Sequence, residues 1–256
     1  MSILPVLLVT TLAGLSTGLG GLLAVIVKPG DRLLAASMGF AAGVMVTVSL
    51  ADLVPEALGY YLDFFTPLGA GGALASLFAM GMLIAALLER CLPEEKAFGG
   101  AGDAGRSRAL RSAMVTGLAL LLHNLPEGML TLFTGAADSA LGARTALAIA
   151  MHNIPEGLAV AVPLFYATRS RSKAVGAAFL SGLAEPAGAL LAWALFHEAL
   201  SPAFLNGLVV MVAGVMTWVG AAQLLPGGWS FGRPLASSLG FGAGSLFMLV
   251  GIAALR

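Results

Sequence analysis

The sequence predicts an all-α polytopic membrane protein that crosses the bilayer eight times. Three observations lead there. Apolar residues make up 59% of the chain and charged residues only 10%, whereas soluble domains are nearer a quarter charged. The apolar residues fall in runs long enough to span a bilayer, which takes about 20 residues of helix. The cations gather in alternate connectors. A net charge of zero indicates no nucleic-acid partner. The single cysteine, Cys91, rules out an intrachain disulfide and a multi-cysteine metal site. Glycine, 34 residues, suits close helix packing in lipid. The chain reads as one domain, 1–256.

Eight runs qualify, at roughly 3–27, 33–58, 68–90, 109–134, 142–166, 173–198, 203–225 and 234–255. The first has no Lys or Arg before it and is too long for a signal-peptide core, so it is expected to be a retained helix. Gly69 to Gly72 opens the third, and Pro226-Gly227-Gly228 closes the seventh. Connectors 1–2, 3–4, 5–6 and 7–8 hold eleven cations: Lys28, Arg32, Arg90, Lys96, Arg106, Arg108, Arg111, Arg169, Arg171, Lys173 and Arg233. Only Arg144 and Arg256 fall on the other side. Cationic connectors stay in the cytoplasm, so both termini are expected outside. The long connector, about 91–108, has a glycine-rich run and reads as a flexible cytoplasmic loop. Tyr60, Tyr61, Phe64 and Phe65 read as an interfacial aromatic belt. His197 and Glu198 are expected to be solvated at the outer end of the sixth run.

The chemistry sits in a doubled hexapeptide. His123-Asn124-Leu125-Pro126-Glu127-Gly128 and His152-Asn153-Ile154-Pro155-Glu156-Gly157 differ by one aliphatic residue and lie inside apolar runs. On a helix, residues four apart share a face, so His123 lies with Glu127 and His152 with Glu156. Asn124 and Asn153 flank the same faces. Pro126 and Pro155 deprive the carbonyls of Leu122 and Met151 of their donors. Each motif thus offers an imidazole, an amide, a carboxylate and a loosened carbonyl on one side of a kinked helix, an inventory for a divalent cation. A charged residue at the bilayer centre costs about 2.5–3.5 kcal/mol on insertion scales, which makes an intramembrane acid a functional candidate. The bland reading, polar groups gluing helices together, fits poorly where each acid has a same-face histidine.

Glu185 is a further intramembrane acid, with Ser181 one turn before it, and it suits metal or proton work or a packing hydrogen bond. Asp52-Leu53-Val54-Pro55-Glu56 and Gln223-Leu224-Leu225-Pro226 repeat the polar-x-x-Pro spacing. Interrupted helices around a midplane site are a transporter device, so Asp52, Glu56 and Gln223 are pathway candidates. Met45 is a weak thioether candidate, since most methionines fill core gaps. A mixed His/Glu/Asn set suits Zn(II), Fe(II), Mn(II), Co(II) and Cd(II) without strong selection. The ions are cargo, and no cofactor is expected. The competing reading is an intramembrane metal-dependent enzyme. Its signatures, Glu-x-x-His on paired helices or His-Glu-x-x-His, do not occur here.

The two motifs on consecutive helices resemble the fourth and fifth helices of the ZIP family of divalent metal transporters. The stretch from His152 to Val160 is most similar to its bacterial ZupT-like branch, as is Ser181-Gly182-Leu183-Ala184-Glu185 in the sixth helix. The Gly39 to Pro55 stretch is similar to the second helix. The resemblance covers nearly the whole chain. It implies a ZIP-type bundle in the cell inner or plasma membrane, inward transport and a homodimer. It further implies a binuclear centre, with one metal at His123, Glu127, His152 and Glu156. The second would sit at Asn124, Glu127, Asn153, Glu156 and Glu185, with Met45 near the first. It also implies that helices 1, 4, 5 and 6 move as a unit against 2, 3, 7 and 8. Gln223 stands where relatives often have an acid, and the 3–4 loop lacks their histidine cluster; no metal sensing is expected there.

Overall fold

The computed structural model describes residues 3–26, 30–91, 104–196 and 201–255. Among the described residues the chain forms eight long helical units and no strand. They are α1 (Leu4–Ala24), α2 (Asp31–Leu62), α3 (Pro67–Cys91), α4 (Ala104–Ala137) and α5 (Ser139–Thr168). Then come α6, in two pieces (Arg171–Gly182 and Ala184–Phe196), α7 (Pro202–Trp229) and α8 (Pro234–Leu255). Seven of the eight are long and apolar enough to cross a membrane. The exception is α4, which carries His123, Asn124 and Glu127 mid-helix and hides all three inside the bundle. Lys28, Lys96, His197, Glu198 and Arg256 lie outside the described residues, as does most of the expected 3–4 loop.

Both ends of that loop are shorter than expected. α3 continues through Cys91, and α4 already begins at Ala104, so Arg106 and Arg108 are helical rather than connecting. Arginine and alanine are strong helix formers, and both arginines find anchors. Arg106 Nε donates to the Ala167 carbonyl at 2.9 Å, and Arg108 Nη1 donates to the Ser230 carbonyl at 2.8 Å. At the opposite end, α4 and α5 are joined by Asp138 alone. Its carboxylate caps α5, accepting from the backbone N–H groups of Ala140 at 2.7 Å and Leu141 at 3.0 Å. Those donors, Leu141 foremost, hold the carboxyl below its ordinary range. The aromatic cluster divides. Phe64 and Phe65 are exposed, as a belt requires, but Tyr61 is buried and its hydroxyl donates to the Ala203 carbonyl at 2.9 Å, tying α2 to α7.

The prolines act in two ways. α4 and α5 run on as α-helix across Pro126 and Pro155. In α2 and α7 a π-helical segment precedes the proline, Ser49–Leu53 before Pro55 and Val219–Leu224 before Pro226. Asp52 and Gln223 both sit in these wider turns, a form of helix frequent at functional sites.

Packing sorts the helices into two groups. α1, α4, α5 and α6 pack mainly on one another, and so do α2, α3, α7 and α8; the groups meet along α2/α5 and α4/α7. Within groups the helices approach backbone to backbone. Gly39 and Gly43 of α2 face Gly240 and Gly244 of α8, and a Cβ on Gly43 would lie 2.1 Å from the Phe241 carbonyl oxygen. Gly14 and Gly182 do the same for α1/α6, and Gly81 and Gly214 for α3/α7. Lipid gives helices no hydrophobic drive to associate, so such close approach supplies the attraction. Among the described residues, these backbone approaches stay within a group.

Two outcomes follow for unfolding in detergent. Gly43→Ala should lower the melting temperature, since overpacking costs about 1–3 kcal/mol; Gly242→Ala, with open space around it, should not. Asp138→Ala should also lower it at neutral pH. The depressed carboxyl stabilises the fold above its unfolded pKa, and that contribution is lost as pH falls through the folded value. The gap between wild type and Asp138→Ala should therefore close in acid.

Candidate metal centre

Helical spacing places each histidine on the same face as the glutamate of its own motif. The packed helices pair them across instead. His123 Nε2 of α4 lies 3.1 Å from Glu156 Oε1 of α5, and His152 Nε2 of α5 lies 3.2 Å from Glu127 Oε1 of α4. All four side chains are buried. An imidazole that donates through Nε2–H keeps a lone pair on Nδ1.

The asparagines are turned by backbone carbonyls. Asn124 Nδ2 donates to the Ser181 carbonyl at 3.0 Å, where α6 is about to break, and Asn153 Nδ2 donates to the Ala13 carbonyl of α1 at 3.0 Å. Asn153 Nδ2 also donates to Glu185 Oε1. With their nitrogens engaged, both amides leave Oδ1 without a partner. Seven residues each hold one buried, unpartnered donor atom: His123 Nδ1, Asn124 Oδ1, Glu127 Oε2, His152 Nδ1, Asn153 Oδ1, Glu156 Oε2 and Glu185 Oε2. A buried polar atom without a partner costs about 1–3 kcal/mol. Seven among neighbouring residues form a set of oxygen and imidazole donors, the chemistry that suits borderline divalent ions. As placed, the side chains stand in pairs. Among the described residues no three His, Cys, Asp or Glu side chains converge closely enough to hold an ion between them.

The closing glycine of each motif brings in the neighbouring helix. A Cβ on Gly128 would lie 1.9 Å from the Glu185 carbonyl oxygen, and one on Gly157 would lie 1.9 Å from that of Thr17. Glycine at these two points lets α6 bring Glu185 against α4 and lets α1 bring Ala13 within reach of Asn153. The glycines were visible in the sequence, but their partners in α6 and α1 were not.

A cleft of about 730 Å³, counted to its mouth, leads to this set from the Asp138 end. Glu56, Thr134 and Thr145 line it with Asp52, and Glu127 and His152 close its floor. It runs between the two helix groups, with α2 and α7 on one wall and α4 and α5 on the other. Asp52 is half-buried and Glu56 exposed. Ser181 Oγ donates to the Ala177 carbonyl, so Ser181 meets the donor set through its backbone. Met45 is fully buried in the apolar core with Val44, Val48 and Met248 and is not part of the cleft wall. Gln223 is half-buried with Nε2 unpartnered and is likewise outside the cleft wall.

A helical bundle of membrane-spanning length, with a cleft ending on buried acids and imidazoles, defines the class: a multi-pass membrane protein of the transporter type. A family profile described as "ZIP Zinc transporter" matches residues 99–252. The protein named zinc transporter ZupT from Akkermansia muciniphila is 42% identical over 97% of this chain and 96% of its own. Its namesakes from Corynebacterium efficiens, 40% identical over 95% and 94%, and Streptococcus mutans, 34% over 96% and 95%, align along similar lengths. The chain belongs to the ZIP family, a family of membrane transporters and not of enzymes.

The cross-helix pairing has a measurable signature. Glu156→Gln keeps an oxygen acceptor for His123 Nε2–H and should unfold near the wild-type temperature. Glu156→Ala strands that donor and should be destabilised by about 1–3 kcal/mol. Equal stability of the two variants would count against the pairing.

Proposed function

We propose that the protein imports divalent transition-metal ions into the cytoplasm, zinc foremost, as the names of its relatives suggest, with Fe(II), Mn(II), Co(II) and Cd(II) as further cargo. The observation that carries this reading is the set of seven unpartnered buried donors, reached by a cleft open at one end. The ions pass Glu56 and Asp52 and reach Glu127 and His152. There they meet the unpartnered atoms of the donor set. Two ions are held, bridged by Glu127 and Glu156. His123 and His152 complete one site, and Asn124, Asn153 and Glu185 complete the other.

All eight helices cross the membrane as one domain, with both termini outside. Described cations such as Arg32, Arg90, Arg106 and Arg233 fall at one end of that arrangement and Arg144 at the other, which supports the orientation. The transport step is alternating access, in which α1, α4, α5 and α6 move against α2, α3, α7 and α8. Support comes from the glycine-mediated approaches inside each group and from the cleft between the groups. At the cation-rich end the groups are tied together. Arg111 Nη1 lies 3.6 Å from Glu89 Oε1 of α3, Tyr166 donates to Asp31 Oδ1 at 2.9 Å, and Arg108 reaches the Ser230 carbonyl. These contacts close the cytoplasmic side while the cleft is open outside. A homodimer in the inner membrane belongs to the same reading.

The test is zinc flux into proteoliposomes loaded with a fluorescent zinc indicator. Wild type should give saturable flux, and Glu127→Ala with Glu156→Ala should abolish it while remaining folded and inserted. Equal flux in both proteins would remove the donor set from the pathway, and linear flux would replace a carrier with a pore. Acidifying the outside should slow the wild type. Imidazole and carboxylate must shed protons to bind metal, so protons compete at the site; faster flux in acid would overturn that competition.

A further inference from the structure

A second recess lies on the flank of the bundle, where α4, α5 and α6 meet between the donor set and the cation-rich end. Met114, Gly117 and Leu121 of α4, Leu164 of α5, and Ala177 and Leu180 of α6 line it, and it encloses about 830 Å³ counted to its open side. Met114, Leu121 and Leu180 are exposed on its lips. Among the described residues that line it, the only hydroxyl, that of Ser181, is already donated to the Ala177 carbonyl. The groove therefore offers a hydrogen-bonding ligand almost nothing. Peptide backbone placed there at membrane depth would lack partners unless it were helical. A hydrocarbon chain needs none. From Ala113 to Leu121 the α4 wall runs about 12 Å at 1.5 Å per residue.

The groove points at cations. Lys173 lies four residues before Ala177 and seven before Leu180, so it is on the groove face of α6. Arg106 lies seven before Ala113 and eleven before Gly117, on the groove face of α4. Both are exposed. Arg106 Nε donates to the Ala167 carbonyl, which holds the guanidinium at the end of α5, near the first turn of α6. An apolar slot ending in two cations has the polarity of an anionic phospholipid, tail in the slot and phosphate at the end.

We propose that this groove is a binding site for an anionic phospholipid, one acyl chain between α4, α5 and α6 and the headgroup on Lys173 and Arg106. The tail gains little over its place in the bilayer, because lipid and groove are equally apolar. Selectivity comes from the cations, roughly fivefold for each basic residue near the headgroup. The chain would rest against Ser181, whose carbonyl turns Asn124. The site depends on the multi-pass membrane class alone and stands whether or not the donor set carries metal.

Native mass spectrometry of the full chain, titrated with dioleoyl-phosphatidylglycerol or dioleoyl-phosphatidylcholine, tests it. Wild type should retain phosphatidylglycerol at least tenfold better. Lys173→Gln should cut that retention by roughly fivefold and leave phosphatidylcholine unchanged. Gly117→Leu should fill the slot and reduce phosphatidylglycerol retention as well; a Cβ there would meet Val160 only at 3.8 Å, an ordinary contact. Equal retention of the two lipids by wild type would overturn the proposal, as would phosphatidylglycerol retention that neither variant alters. A change in oligomeric mass in Gly117→Leu, with lipid retention intact, would assign the groove to a second copy of the chain and also overturn it.

Discussion

The structure depends on one constraint: two helices must carry histidine, asparagine and glutamate through the buried interior of an apolar bundle. A buried carboxylate or imidazole needs a partner, and the helices meet the need by exchange. Each histidine is answered by the other helix's glutamate, and each asparagine nitrogen by the backbone of a third helix. This uses one atom of each side chain and leaves another free. The same arrangement thus joins α4 to α5 and leaves one buried atom of each side chain unpartnered.

Glycine makes the exchange possible. Asn153 can reach the Ala13 carbonyl, and Glu185 can reach Asn153, because α1 and α6 come within backbone contact of the motif helices at Gly157 and Gly128. The same device builds the second group of helices, where α2 lies on α8 through paired glycines. Between the groups the packing is looser and leaves the cleft. The seams are tight inside each half, and the cleft between the halves ends on Glu127 and His152.

Much of the fold was legible in the sequence. All-helical membrane character followed from the length of the apolar runs, and the helix limits largely agree with them. Departures fall where local chemistry overrides hydropathy. Arg106 and Arg108 are polar, yet they extend α4 because their side chains reach carbonyls across the bundle. Tyr61 looked interfacial but is buried because its hydroxyl finds the Ala203 carbonyl. The polar-x-x-Pro spacing was seen four times, but only the assembled helices decide that two become π-helical and two stay α-helical.

The sequence by itself determined which residues are the candidates for the chemistry, because histidine, asparagine and glutamate are costly in lipid and their doubled spacing has no apolar explanation. It also determined the family. The tertiary structure decided who partners whom. Spacing along one helix relates His123 to Glu127, but only packing could pair His123 with Glu156, turn the asparagines through Ala13 and Ser181, and bring in Glu185 from a third helix. Those relations join residues up to 140 positions apart. Periodicity reports the face on which a residue lies; what that face meets is fixed by how closely the backbones can approach.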